Sequence, residues 1–252
     1  MNNKSQIGIF ILLGIILLLS FGFTYYLKKE GNEVGRNAKI MSLDNSIISV
    51  KNYIEYCLKI VATNAIGFIS SRGGYYILPN RYLNSIIPTA FYIYANQDIS
   101  LNISTLENEL ATYIEQQLDY CINKIEVPGN AIYFGEKYAK VILINNNIIT
   151  ELHMPTRIIS DKSTIFIEDY KSYIQDNKLI NSFHVAKNIT DSIKKFPEKL
   201  CLTCIFREAN NNQLDIIIDT FNETTYVFRL IDTYDRSFVF NFAVNLEVEH
   251  EN

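Results

Sequence analysis

Cys201-Leu202-Thr203-Cys204 is the one cluster in the sequence whose residue types carry obvious chemistry. Two thiols at this spacing can close into a disulfide, exchange electrons with other thiols, or supply half of a zinc site. Zinc needs two further ligands, but there is no second Cys pair, and His153, His184 and His250 stand at no recognised metal spacing. A thioredoxin-like dithiol needs its first cysteine at a helix N-terminus following a strand, where the helix dipole lowers the thiol pKa. The β-branched and aromatic neighbours of this pair predict a strand over Leu200–Phe206 instead. The two other cysteines, Cys57 and Cys121, fall on the apolar stripes of two predicted helices, where they form either a disulfide staple or two packed thiols. Cross-pairing of Cys201 or Cys204 with Cys57 or Cys121 completes the choices, and the sequence leaves them open.

Other constellations carry less. Glu107, Glu109 and Glu115 read as an exposed helix face, and Asp215, Asp219 and Asp232 as turn formers at strand ends. No Gly-x-Ser-x-Gly elbow and no His-Glu-x-x-His pair occurs. Gly73-Gly74 lacks the Gly-x-x-x-x-Gly-Lys pattern of a phosphate loop. These readings predict no catalytic residue, metal or cofactor. Asn102, Asn188 and Asn222 each open an Asn-x-Ser/Thr sequon and are candidate glycosylation sites. A net charge of −4 over 252 residues gives no basic stripe for nucleic acid.

The elements that must position these residues follow from periodicity. Ile40, Leu43, Ile47, Val50, Ile54, Cys57, Val61, Ala65 and Phe68 recur at steps of three and four, predicting a helix over Lys39–Ser71 that Arg72-Gly73-Gly74 ends. Its stripe is read as the spine of the domain core, with a coiled-coil contact between copies as the alternative. Tyr75–Ser100, broken by Pro79 and Pro88, reads as an extended excursion. Ser104-Thr105-Leu106-Glu107 matches a capping box, opening a second helix with Leu106, Leu110, Ile114, Leu118, Cys121 and Ile125 on one face. From Ala131 the pattern turns to strands. Tyr138–Ile144 and Ile148–Met154 form a hairpin across Asn145-Asn146-Asn147, and further strands are predicted at Thr164–Ile167, Leu214–Asp219, Thr225–Ile231 and Ser237–Leu246. One more helix is marked by Leu179, Phe183, Ala186, Ile189, Ile193 and Phe196. Long amphipathic helices followed by a mainly antiparallel strand region predict an α+β fold. Its helical part covers 40–127 and its strand-rich part 128–252.

Ahead of this domain, Ile7–Leu27 is an uncharged run that as a helix spans roughly 31 Å, one bilayer crossing. It is longer than a secretory h-region and ends in Tyr25 and Tyr26, at the level of the interfacial aromatic belt. Residues 1–28 are therefore read as a retained transmembrane anchor, with 29–39 as a polar linker opened by Gly31 and Gly35. Orientation is pulled two ways. Lys28, Lys29, Arg36 and Lys39 favour a cytoplasmic C-terminal domain, whereas four cysteines and three sequons are easier to explain outside, the reading preferred here.

Two resemblances bear on function. Lys4-Ser5-Gln6-Ile7 resembles the class III signal of archaeal type IV pilin-like proteins, which implies cleavage between Ser5 and Gln6 with the helix retained. Phe10 stands where many pilins carry a Glu, which weakens the case for filament assembly more than the case for anchoring. The run Val50–Leu58, then Gly73-Gly74-Tyr75, then Leu110–Cys121 is similar to a family of uncharacterised archaeal membrane-anchored proteins, and the similarity extends towards Ala139–Pro155. It implies an archaeal surface protein and supplies no activity. The sequence thus predicts a single-pass protein held in the lipid bilayer by Ile7–Leu27. Its domain would have a structural or interaction role through self-association or contact with other surface proteins, as an anchored monomer or a pilin-like subunit. The competing readings are an anchored thiol-redox enzyme using Cys201 and Cys204, and a cytoplasmic-facing accessory of a membrane complex.

Overall fold

The computed structural model describes residues 48–144, 147–160, 163–175, 178–195 and 200–246. The chain divides into two compact units, Met1–Val50 and Lys51–Asn252. Of the first unit only 48–50 are described, and they are helical. The expected anchor Ile7–Leu27, the Lys4-Ser5-Gln6 signal, the linker and the stripe positions Ile40, Leu43 and Ile47 lie outside the described residues, as do Phe196 and His250. Among the described residues no helix is long and apolar enough to cross a membrane.

The second unit is an α+β fold. It opens with α1 (51–70), whose Ile54, Cys57, Leu58, Val61, Ala62, Ala65 and Ile69 are all buried. The buried stripe runs from Ala65 to Ile69, so Phe68 swings out and packs on the rings of Tyr76 and Tyr113, with the Arg72 guanidinium 4.8 Å from its centroid. The glycine pair ends α1 as expected. The Gly74 amide donates to Ile69 O at 2.9 Å and the Gly73 amide to Ser70 O at 3.4 Å, the Schellman pattern, with φ of 88° and 78° that only glycine takes without strain.

The stretch expected to be an extended excursion contains β1 (Tyr82–Leu83), β2 (Thr89–Tyr94) and β3 (Gln97–Asp98). β2 is fully integrated in a six-stranded sheet of order β1-β2-β10-β9-β8 with β3 on β2, where β8 is Leu214–Thr220, β9 Thr225–Asp232 and β10 Val239–Asn245. β2 and β10 run parallel and the other described pairs in this sheet antiparallel. A strand from the supposedly helical part therefore completes the C-terminal sheet. Phe228, Phe240 and Phe242 are fully buried there, Phe228 stacked on Phe242 at 4.9 Å, with Tyr92 against both Phe240 and Phe242. The helix α4 (Lys178–Lys195) packs on β9 and β10, and α5 (Leu202–Asn211) packs on β8.

The second sheet has four strands, β4 (Asn130–Phe134), β5 (Tyr138–Ile144), β6 (Asn147–Ser160) and β7 (Ser163–Gln175). At 14 residues β6 far exceeds the expected strand, and as an extended chain it is about 46 Å long. β7 follows one of its edges for nearly its whole length, while β5 and β4 pair with its first and second halves. Pro155 falls at the seam between those halves, in a register shift opposite β7, where no ladder donor is required. Its carbonyl accepts the Gly135 amide at 2.7 Å.

The helix α2 (Ile103–Gln117) is capped by Asn102, whose Oδ1 accepts the Thr105 amide at 2.9 Å, so the expected Ser104–Glu107 capping box does not form. Asn is a strong N-cap and begins the helix two residues earlier, which frees Glu107 for another task. The expected continuous face breaks at Leu118, after which α3 (Asp119–Ile122) is a single turn. Glu107, Glu109 and Glu115 are half-buried, and each accepts backbone amides. Leu143 N donates to Glu107 at 2.8 Å, Ala139 N to Glu115 at 2.7 Å, and Tyr76 and Ile77 N to Glu109 at 2.8 and 3.0 Å. Eight helical residues advance about 12 Å and four strand residues about 13 Å, so Glu107 and Glu115 match two outward amides on the edge of β5.

Asp232 forms the β9–β10 turn as expected, its carboxylate accepting the Tyr234 and Asp235 amides at 2.9 and 2.7 Å. Asp215 and Asp219 instead sit within β8 and pair with Arg236 and Arg229. In the same turn, Lys178 of α4 and the Ser237 hydroxyl and amide hold Asp235 down to about 2.

Two outcomes follow. Glu107→Ala and Glu115→Ala should each cost about 1–3 kcal/mol of stability, read by urea unfolding, whereas Asn108→Ala on the outer face should stay within about 0.5 kcal/mol. Because the folded-state pKa of Asp235 is depressed, its contribution is present above the unfolded value and lost as pH falls from about 4 to about 2. The difference in thermal midpoint between wild type and Asp235→Asn should therefore vanish near the acid end of that window.

Candidate functional site

Cys201 and Cys204 are bonded to each other, with Cα atoms 5.2 Å apart. That bond is incompatible with the strand expected over Leu200–Phe206, because residues three apart in a strand lie about 10 Å apart, beyond disulfide reach. The segment is instead the start of α5. Ile205 and Ala209, four residues apart, are its buried positions, a helical period that the β-branched and aromatic composition hid.

Cys201 occupies the N-cap position of α5, and no side chain caps the helix. The Ile205 amide donates to Cys201 O at 3.0 Å, closing the first turn around the disulfide. Both cysteines are partly exposed, as are their surroundings, with Leu202 at 50% and Phe206 at 42% exposure. The other end of α5 is fixed. Asn181 Nδ2 donates to Asn212 O at 2.8 Å, and the amide and hydroxyl of Thr233 donate to Gln213 O at 3.2 and 3.0 Å. Between α4 and α5 runs a groove of about 440 Å³, lined in part by Cys204, Asp191, Lys195, Arg207 and Glu208. Sequence reasoning named the two cysteines but not these companions; the signal that could have found them was the four-residue step from Cys201 through Ile205 to Ala209.

The other pair, Cys57–Cys121, joins α1 to α3 across 64 residues, with Cα atoms 5.7 Å apart and Cys57 fully buried. Tyr53 Oη donates to Cys121 O beside it at 3.2 Å. The structure thus chooses the pairing 57–121 and 201–204, with no free cysteine among the described residues.

The three sequons lie apart. Asn102 is exposed at the N-cap of α2, and Asn222 is exposed in the β8–β9 turn, accepting the Thr224 amide at 3.0 Å. Asn188 lies within α4, with Nδ2, the atom a glycan would take, donating to Glu208 at 2.8 Å and Thr190 of its sequon buried. His153 pairs with Asp169 at 3.0 Å, and among the described residues no group of three or more His, Cys, Asp or Glu side chains could hold a metal ion.

A wider groove of about 840 Å³ lies along the side of β8, β9 and β10 that carries Ile217, Val227, Arg229 and Val239, with Ile86 and Ile87 on its rim. Asp98 on β3 faces α4. Burial pushes its carboxyl up, but the Ser100 hydroxyl and amide and the ammonium groups of Lys194 and Lys187 outweigh that and hold it below the usual range.

No protein-family model, curated protein or solved structure matches the chain.

Replacing Cys57 and Cys121 together by Ala should remove about 4 kcal/mol of stability, since the bond closes a loop of 64 residues. Denaturant unfolding under non-reducing conditions checks it.

Proposed function

We propose that the chain is a single-pass membrane-anchored surface protein, held in the bilayer by Ile7–Leu27, with its α+β domain outside the cell in a structural or interaction role. The observation that carries this reading is the state of the cysteines: all four are paired, in two disulfides that persist in oxidising compartments. Exposed sequons at Asn102 and Asn222 support the same side of the membrane. The length and charge flanks of Ile7–Leu27 support the anchor, and the resemblance to archaeal membrane-anchored proteins supports the setting.

The role takes one of two forms. As an anchored monomer the chain keeps its first five residues. As a pilin-like subunit it is cut between Ser5 and Gln6, and copies associate into a filament. Mass spectrometry of the mature N-terminus separates them, a chain beginning at Gln6 supporting the subunit and an intact start supporting the monomer.

The domain's location is tested on intact cells with a membrane-impermeant protease. Digestion of the domain is expected, with a short membrane-protected fragment left behind. Full protection that is lost only when the cells are lysed would overturn the surface reading in favour of a cytoplasmic-facing accessory subunit.

A further inference from the structure

We propose that Cys201–Cys204 is a thiol–disulfide exchange site that accepts two electrons from a dithiol carried on an apolar peptide segment. Four observations on α5 converge on this chemistry. The two sulfurs are already bonded, so the chain holds the oxidised form of the couple. Cys201 stands at the N-cap with no side chain capping the helix, so a thiolate released there faces the positive end of the helix. Both cysteines are partly exposed, which lets an outside thiolate approach. Leu202 and Phe206, apolar and about half exposed, flank the pair on the same helix and offer an apolar peptide a place to lie.

The exchange balances as two substitutions. A thiolate of the peptide attacks Cys201 Sγ; the Cys201–Cys204 bond breaks, a mixed disulfide forms, and Cys204 leaves as a thiolate. The second peptide thiolate then attacks the peptide sulfur of the mixed disulfide, and Cys201 leaves. The peptide ends as a disulfide, and Cys201 and Cys204 end as thiols carrying the two electrons, with the protons coming from the peptide's own thiols. Stabilisation of the Cys201 thiolate at the helix N-terminus favours the second departure, because a low-pKa thiol is the better leaving group. Cys57–Cys121 takes no part, since Cys57 is fully buried.

This inference does not depend on which side of the membrane the domain faces, so its test uses the purified full chain in detergent. The oxidised chain is mixed with a synthetic peptide bearing two cysteines among apolar residues, and peptide oxidation is followed by mass. The expected rate is at least about tenfold above that of oxidised glutathione at the same concentration. An equal or slower rate would overturn the proposal. In the reverse direction, the disulfide-linked dimer of a peptide with a single cysteine among apolar residues, whose leaving thiol departs with the other copy, is presented to Cys204→Ala and to Cys201→Ala. The first should trap a lasting mixed disulfide through Cys201 and the second should not; equal trapping by both removes the asymmetry on which the proposal stands. Alkylation of Cys201 in Cys204→Ala should reach half its maximum rate well below the ordinary thiol value of about 8.5, and a midpoint at that ordinary value counts against it. The wild-type rate decides the matter even where a variant fails to fold.

Discussion

The α2 helix has to satisfy backbone amides in two other parts of the chain at once, and much of the second unit is arranged around that demand. Glu109 takes the amides of Tyr76 and Ile77 just after α1, while Glu107 and Glu115 take two amides from β5. A strand edge with open amides invites pairing with another chain, and covering it with a helix is one of the ways proteins prevent that. Here the cover is chemical as well as steric, because carboxylates replace the missing strand as acceptors. With α2 fixed against β5, its continuation α3 brings Cys121 to Cys57, and Lys137 of the β4–β5 connection reaches Asp119 at the start of α3. α2 and α3 together thereby tie α1 and the turn after it to the second sheet through a disulfide, three carboxylates and an ion pair.

The same arrangement explains what could be read from the sequence and what could not. Elements whose signal is local were legible. The glycine pair ends α1, β5 spans Tyr138–Ile144 as expected, and the buried residues of α4 include Leu179, Phe183, Ala186, Ile189 and Ile193. What failed rested on distant partners. Glu107, Glu109 and Glu115 look like a solvated face until β5 and the 76–77 turn are placed against them. Thr89–Tyr94 looks like an isolated extended piece because its parallel partner β10 begins about 150 residues later. β6 runs on past the expected Ile148–Met154 and through Pro155, a residue that argues against a central strand; only the pairing scheme reveals the seam at which it is tolerated.

At the candidate site the division is sharper. The residues capable of chemistry, Cys201 and Cys204, stand out by spacing alone, but strand propensity around them outweighs a helical period only two turns long, so composition points to a strand where the chain forms α5. Spacing itself held the correction: two cysteines separated by two residues can bond in a helical turn and cannot in a strand. The groove residues Lys195 and Arg207 come from different helices, so no local pattern announces them.

The two disulfides are the same covalent bond in opposite physical situations. Cys57–Cys121 closes a 64-residue loop around a fully buried cysteine, so it restricts the unfolded chain strongly and is shielded from attack. Cys201–Cys204 closes a loop of three residues, where the entropy removed from the unfolded chain is small, and it lies at a partly exposed helix start. Stability therefore gives strong reason for the first bond and little for the second. α5 is secured without it, by Ile205 and Ala209 packed beneath and by the contacts of Asn212 and Gln213 at its far end. The fold thus draws little on this second bond, and that is the physical ground on which the proposed exchange at Cys201 and Cys204 rests.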